Sequence, residues 1–119
     1  VEHGCNPSPD FLPIDWQQLQ ALSDGNEEFE LELLKIFVIE THKLLQIAQK
    51  AALEHQIDTL CRVAHQIKGS SGNVGLQKVF QIARQLEQYA KDDDLGRVMT
   101  LIMELYQSLY YLDQFLEVL

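Results

Sequence analysis

No proline follows Pro13 in this chain, because Pro7, Pro9 and Pro13 are all three of the prolines in its 119 residues. Proline lacks the backbone N–H and clashes with the carbonyl four residues earlier, so it breaks helices. Its confinement to the amino end leaves everything from Ile14 onward free to run as long helices. Six glycines give little material for many tight turns, which argues against an all-β fold. The length suits one domain with a core of its own, and the apolar fraction of 46% is ordinary for a globular protein. The expected class is all-α.

Periodicity divides the chain into helices. Residues 1–13 read as a linker or tail. Ile14 to Leu22 forms a short helix with Trp16, Leu19 and Leu22 near one face. Ser23-Asp24-Gly25-Asn26 is a turn, and Asn26 with Glu27, Glu28 and Glu30 suits the start of a helix, where its dipole favours acids. That second helix runs to about Leu53, with Phe29, Leu33, Phe37, Leu44, Ala48 and Ala51 as its inner stripe. A third spans roughly Gln56 to Asn73 on Ile57, Leu60, Ala64 and Ile67, and Gly72-Asn73-Val74-Gly75 ends it. A fourth runs from Leu76 to about Ala90 with Val79, Ile82, Ala83 and Leu86 inside. After Lys91-Asp92-Asp93-Asp94 comes a helix whose leucine-rich stripe, Leu95, Val98, Ile102, Leu105, Leu109, Leu112, Leu116 and Leu119, steps by threes and fours. Short loops between long amphipathic helices predict an antiparallel up-down-up-down four-helix bundle over residues 14–119, with a short extra helix at its amino end.

The formal net charge is −9, which counts against nucleic-acid binding. From Thr59 to Lys91, Arg62, Lys68, Lys78, Arg84 and Lys91 face one acid, Glu87. That segment is therefore +4, which leaves −13 on the remainder. A cationic segment in an acidic protein suggests a docking face for an acidic partner or a phosphate. Two cysteines, Cys5 and Cys61, are too few for a disulfide framework and read as free thiols in a reducing, cytoplasmic compartment. No apolar run reaches the ~18 residues of a membrane span, so no membrane insertion is expected. The amino end has neither the basic start nor the apolar stretch of a signal peptide. A first residue of Val and a proline-bearing lead favour a domain cut from a multidomain protein.

His65-Gln66-Ile67-Lys68-Gly69-Ser70-Ser71-Gly72 concentrates the chemistry. His65, Lys68 and Gly69 fall on one helical line, with Cys61 and Gly72, along the border between core and solvent. A neutral imidazole has one lone-pair nitrogen able to attack phosphorus, and histidine's ordinary pKa of ~6.5 keeps a large neutral fraction at cell pH. Phosphoryl transfer asks mainly for positioning and for cations near the phosphoryl oxygens. Lys68 supplies such a cation. Gly69 and Gly72 clear the surface, and Ser70 and Ser71 bond back to the helix or toward a phosphate.

The segment AHQIKGSSGNVG resembles the signature of histidine-containing phosphotransfer (HPt) domains: a histidine, then x-x-Lys-Gly, then a further glycine. The resemblance covers about Ile14 to Leu119. It implies that His65 is phosphorylated and that Lys68 steadies the phosphoryl group. It implies also that Gly69 admits the partner, with Arg62, Gln66, Ser71 and Gly72 on the binding face, and that Gly75 makes the turn to the next helix. Phosphate would pass between aspartates of response-regulator receiver domains. No cofactor or ATP site is expected in this domain, Mg2+ being expected in the partner receiver, and the chain would act as a monomer. Some family members place a glutamine against the active histidine from the following helix. Counting along this chain brings Glu87 there. A carboxylate would fix the imidazole's tautomer and favour its charged form, yet would repel a phosphate, so Glu87 either grips His65 or points away.

Other readings are weaker. His3, His42 and His55 are taken as structural or merely exposed. Cys61 and His65 make one i, i+4 ligand pair with no second pair of matching spacing, so no metal site is expected. A helical adaptor without phosphorylation stays open. A histidine-kinase dimerisation pair would need an acid after the histidine and a proline kink. Hydrolase or redox chemistry finds no Ser-His-Asp spacing, phosphate loop or Cys-x-x-Cys.

Overall fold

A computed structural model describes residues 13–118. The tail assignment up to residue 12, with His3 and Cys5, and the terminal Leu119 lie outside the described residues. Five helices follow in order: α1 (Trp16–Ser23), α2 (Glu27–Leu53), α3 (Ile57–Asn73), α4 (Gln77–Lys91) and α5 (Leu95–Glu117). The described residues contain no strand. α3 packs between α2 and α4, and α5 closes the ring against both. The bundle measures 47 × 22 × 19 Å.

Local chemistry sets the helix ends. Asp15 Oδ1 accepts from the Gln18 N–H at 3.1 Å and starts α1. Asn26 Oδ1 accepts from Phe29 N at 3.0 Å and starts α2, whose first turn carries Glu27, Glu28 and Glu30. Asp94 Oδ1 accepts from Arg97 N at 3.3 Å and starts α5. Each side-chain oxygen satisfies a donor that the first turn leaves orphaned. After α3, Gly75 turns the chain at φ +78°, a left-handed conformation natural to glycine.

Buried leucine, isoleucine, valine and alanine from all five helices meet in one core. On α4, and on α5 as far as Leu116, the residues of the expected stripes face the core, Leu95 lying half-buried at the rim. On α2, Phe37, Ala48 and Ala51 are buried as expected, while elsewhere the line falls one residue later, ~100° round the helix. Phe29 is exposed and Leu33 and Leu44 only half-buried, while Glu30, Leu34, Thr41 and Leu45 lie inside. At the first turn the inward residue is polar, and the Ser23 hydroxyl, itself buried, donates to Glu30 Oε2 at 2.6 Å. That bond pins Glu30 inward and satisfies a group that would otherwise be costly to bury. Leu22, expected on the inner face of α1, is exposed, and Leu19 alone of that face is fully buried.

α1 is strapped to the far end of α3. Asp15 N donates to the Gly75 carbonyl at 2.9 Å. Gln18 Nε2 donates to the Gly72 carbonyl and, at 3.2 Å, to that of Asn73. Carbonyls at a helix C-terminus have no partner within the helix, and here another helix provides it. A Cβ on Gly75 would lie 2.8 Å from the Asp15 carbonyl oxygen, so the strap needs glycine twice over, for conformation and for space.

Candidate functional site

α3 turns Leu60, Ala64, Ile67 and Ser71 into the core. His65, one residue past Ala64, is rotated ~100° from that line and emerges on the edge facing α4, its side chain 67% exposed. From α4, where Leu86 and Ala90 face inward, Glu87 reaches across. Its Oε2 lies 3.2 Å from His65 Nδ1, and its Oε1 accepts from Lys68 Nζ at 2.8 Å. Lys91 Nζ, one turn further along α4, stands 3.9 Å from the same Oε2. Glu87 grips His65 rather than pointing away.

Electrostatics fixes the roles of these atoms. The hydrogen bond from Lys68 holds the Glu87 carboxyl below its usual range, and the charges of Lys68, Lys91 and His65 add to this against the opposing effect of burial. An ionised carboxylate only accepts hydrogen bonds. His65 Nδ1 must therefore carry the proton it donates to Glu87, and in the neutral ring Nε2 keeps the lone pair. The site thus presents a nucleophilic nitrogen on an exposed, oriented ring, with two ammonium groups within reach of the carboxylate that orients it.

The other expected site residues separate into two groups. Arg62, Gln66 and Gly69 share the exposed side of α3 with His65. A Cβ built on Gly69 would meet nothing within 4 Å, so the glycine is open surface. Ser71 and Gly72 are turned inward, against expectation. Ser71 is fully buried and its hydroxyl donates to the carbonyls of Ile67 at 2.7 Å and Lys68 at 3.0 Å. Its hydrogen-bonding capacity is spent within its own helix. A Cβ on Gly72 would lie 3.2 Å from Phe80 Cδ1, so this glycine lets the Phe80 ring of α4 approach α3. Gly75 occupies the turn as expected.

Cys61 sits half-buried at the border, its thiol pushed up by burial. His42 packs edge-on against Tyr106, ring centroids 5.5 Å apart, and His55 pairs with Asp93 at 3.2 Å; neither joins the His65 cluster. Among the described residues no three His, Cys, Asp or Glu side chains gather as a metal site. Two contributors escaped sequence reasoning. Lys91 carried a signal, its i, i+4 spacing from Glu87. Gln18 carried none, since the carbonyls it meets are 54 and 55 residues away.

A family model described as Hpt domain matches residues 32–117. The chain is 28% identical over 108 residues to the sensor protein EvgS of Escherichia coli, covering 90% of this chain and 9% of that protein. It is 28% identical over 102 residues to the phosphorelay intermediate protein rdeA of Dictyostelium discoideum, covering 86% of this chain and 39% of that one. The chain therefore spans well under half the length of these curated relatives. Among solved structures, histidine-containing phosphotransfer protein B of Pseudomonas aeruginosa superposes with a TM-score of 0.80 at 24% identity, covering 92% of this chain and 94% of that one. The HPT domain of a sensor hybrid histidine kinase from Shewanella gives 0.71 at 20% identity, covering 89% and 95%. At such identities the structural likeness shows the bundle fold alone.

Proposed function

The chain belongs to the Hpt domain family, and from that premise we propose that His65 accepts a phosphoryl group from the aspartyl phosphate of one receiver domain and hands it to the aspartate of another. The observation that carries this reading is the Nδ1–Glu87 contact, which leaves Nε2 of an exposed ring as the nucleophile. The lone pair of Nε2 forms the N–P bond as the aspartyl O–P bond breaks, and the receiver carboxylate leaves with that electron pair. The ring keeps its Nδ1 proton and becomes a phosphoimidazolium. Glu87, ionised beside it, offsets the new positive charge. Transfer onward runs the same steps in reverse, with a second carboxylate as nucleophile.

Lys68 is the cation for the phosphoryl oxygens. In the resting geometry it is bonded to Glu87, so it must exchange a carboxylate oxygen for a phosphoryl oxygen. Lys91, already near Glu87 Oε2, keeps that carboxylate partnered during the exchange. The receiver docks over the open surface at Gly69, in line with Gln66 and Arg62 on the exposed side of α3. Phosphoryl chemistry at the receiver rests on that partner's own Mg2+, and this domain brings no cofactor. A single chain holds all the groups this transfer requires. The proposed compartment is the cytoplasm, in keeping with Cys61 as a free thiol and with no described helix long and apolar enough to cross a membrane.

Mixing the chain with radiolabelled phospho-receivers tests the reading. Label should pass to the wild-type chain as an acid-labile, base-stable phosphoramidate, and His65→Gln should take up none while keeping its helicity. Label retained by His65→Gln would refute the assignment. A chain that binds phospho-receivers without accepting label would be an adaptor instead.

A further inference from the structure

Phe80, Arg84, Glu87 and Lys91 follow one another along α4 at steps of four, three and four, which keep residues on one line of a helix. The line is located by its contacts with α3. A Cβ on Gly72 would lie 3.2 Å from the Phe80 ring, and one turn beyond Arg84 the Glu87 carboxylate meets His65 and Lys68. These pairings run antiparallel, so Arg84, midway between Phe80 and Glu87, stands across from the stretch between Lys68 and Gly72. Gly69, whose Cβ position is open space, lies in that stretch. Arg84 is exposed and stands on the α4 rim of the surface that Gly69 leaves clear.

The cations along this edge differ in what holds them. Lys68 and Lys91 are both drawn to Glu87. Arg84 has the same carboxylate three residues along its own helix, yet it makes no hydrogen bond or ion pair among the described residues. A guanidinium is a planar fork of donors that matches a carboxylate with two parallel hydrogen bonds. Solvated charges are ordinary on a helix. This one is aligned with the residue that orients His65 and faces a cleared surface, so it is placed for an acid that arrives with the docked protein. We propose, building on phosphotransfer at His65, that Arg84 is a specificity residue, pairing with a carboxylate on the docking face of the receiver. Lys68 serves the phosphoryl oxygens, and Arg84 holds an acid of the partner itself. A receiver with a carboxylate at that place gains charge-assisted bonds, whereas one with a lysine or arginine there meets like charge. The opposite edge of α4 offers no such contact: Lys78 lines a groove toward α5 with Ile82, Glu104 and Tyr111, away from His65.

The test follows transfer to the full chain from a phospho-receiver that labels the wild type, at increasing receiver concentration. Arg84→Glu should raise the half-saturating concentration about tenfold and leave the maximal rate within about twofold, the signature of lost binding rather than lost chemistry. Arg84→Lys keeps the charge without the fork and should fall between. Lys78→Glu makes an equal change of net charge on the α5 edge and should shift the half-saturating concentration by less than about twofold. Potassium phosphoramidate, a small donor that needs no docking, should label His65 equally in the wild type and in Arg84→Glu. An unchanged half-saturating concentration in Arg84→Glu would overturn the proposal. So would an equal loss in Lys78→Glu, which makes the effect one of overall charge, or a fall in phosphoramidate labelling, which puts Arg84 at the transferred group instead. A wild-type chain labelled by phosphoramidate but by no phospho-receiver would refute the transfer reading itself, and the role of Arg84 with it.

Discussion

Replacing Glu87 by glutamine tests the site's electrostatics with the least change of shape. The substituted amide can keep its carbonyl oxygen toward His65 Nδ1, but its NH2 group then faces Lys68 Nζ, a donor against a donor. The 2.8 Å charge-assisted bond is lost. Hydrogen bonds to charged groups contribute about 1.5–3 kcal/mol when well enclosed, while fully exposed ion pairs contribute ~0–1 kcal/mol. Lys68 is 24% and Glu87 13% exposed, which places this bond between the two cases. A loss of about 1–2 kcal/mol at neutral pH is expected, or roughly 3–6 °C in Tm for each kcal/mol in a domain of this size. The pH dependence has a definite sign. Glu87 titrates lower in the folded chain than its ordinary 4.5, so its contribution is complete above that value and vanishes as pH falls through the depressed one. Below both, the wild type carries a neutral carboxyl, close in shape to the amide. Urea unfolding of the two proteins at a series of pH values should show a gap that is full at neutral pH and closes in acid. A gap that persists unchanged to pH values where Glu87 is protonated, or no gap at neutral pH, would refute the ionised grip on Lys68. The same variant should hold less phosphoryl on His65 at equilibrium with a phospho-receiver, because the phosphoimidazolium loses its counter-charge.

Two glycines are expected to behave in opposite ways. Gly69→Gln points into open space and removes a poor helix former, so unfolding should show unchanged stability or a gain of up to ~1 kcal/mol. Receiver-to-His65 transfer should nonetheless fall sharply, and unimpaired transfer would remove the docking surface from this part of α3. Gly75→Ala meets both a left-handed φ and the Asp15 carbonyl oxygen, so it should cost at least ~1 kcal/mol in denaturant unfolding and raise hydrogen exchange in α1.

The bundle was legible because its signals are local. The proline-free run, the cap at Asn26, the turn at Gly75 and the threes-and-fours stripe of α5 each act within a few residues. The α2 stripe was misread where adjacent pairs, Leu33 with Leu34 and Leu44 with Leu45, left two apolar lines nearly equal. At the first turn the inward residue is Glu30, which meets Ser23 of another helix, and a periodicity of apolar residues does not register a polar group whose partner lies elsewhere. The same division holds at the site. His65, Lys68 and Gly69 are readable from one helix. Ser71, four residues after Ile67 and seven after Ala64, falls on the core line of α3 itself, a spacing that the run of small residues obscured, whereas the direction of Gly72 depends on the Phe80 ring of the next helix. The position of Glu87 could be counted, but its direction depends on a lysine 19 residues away on the facing helix.

The strap between α1 and the end of α3 also bears on the order of events as the chain is made. Of the five helices, α1 is the first to be translated. A helix of 8 residues is too short to persist alone in water, and the carbonyls that hold Gln18 belong to Gly72 and Asn73. During synthesis the strap from α1 therefore waits until the α3–α4 turn has been translated and packed, whatever hold Ser23 has on α2 in the meantime. Closing so long a segment of chain carries an entropic cost that local contacts do not. The first of the five helices to be translated is thus not fixed in place until the third is complete, and its hold on the end of α3 couples two segments far apart in the chain.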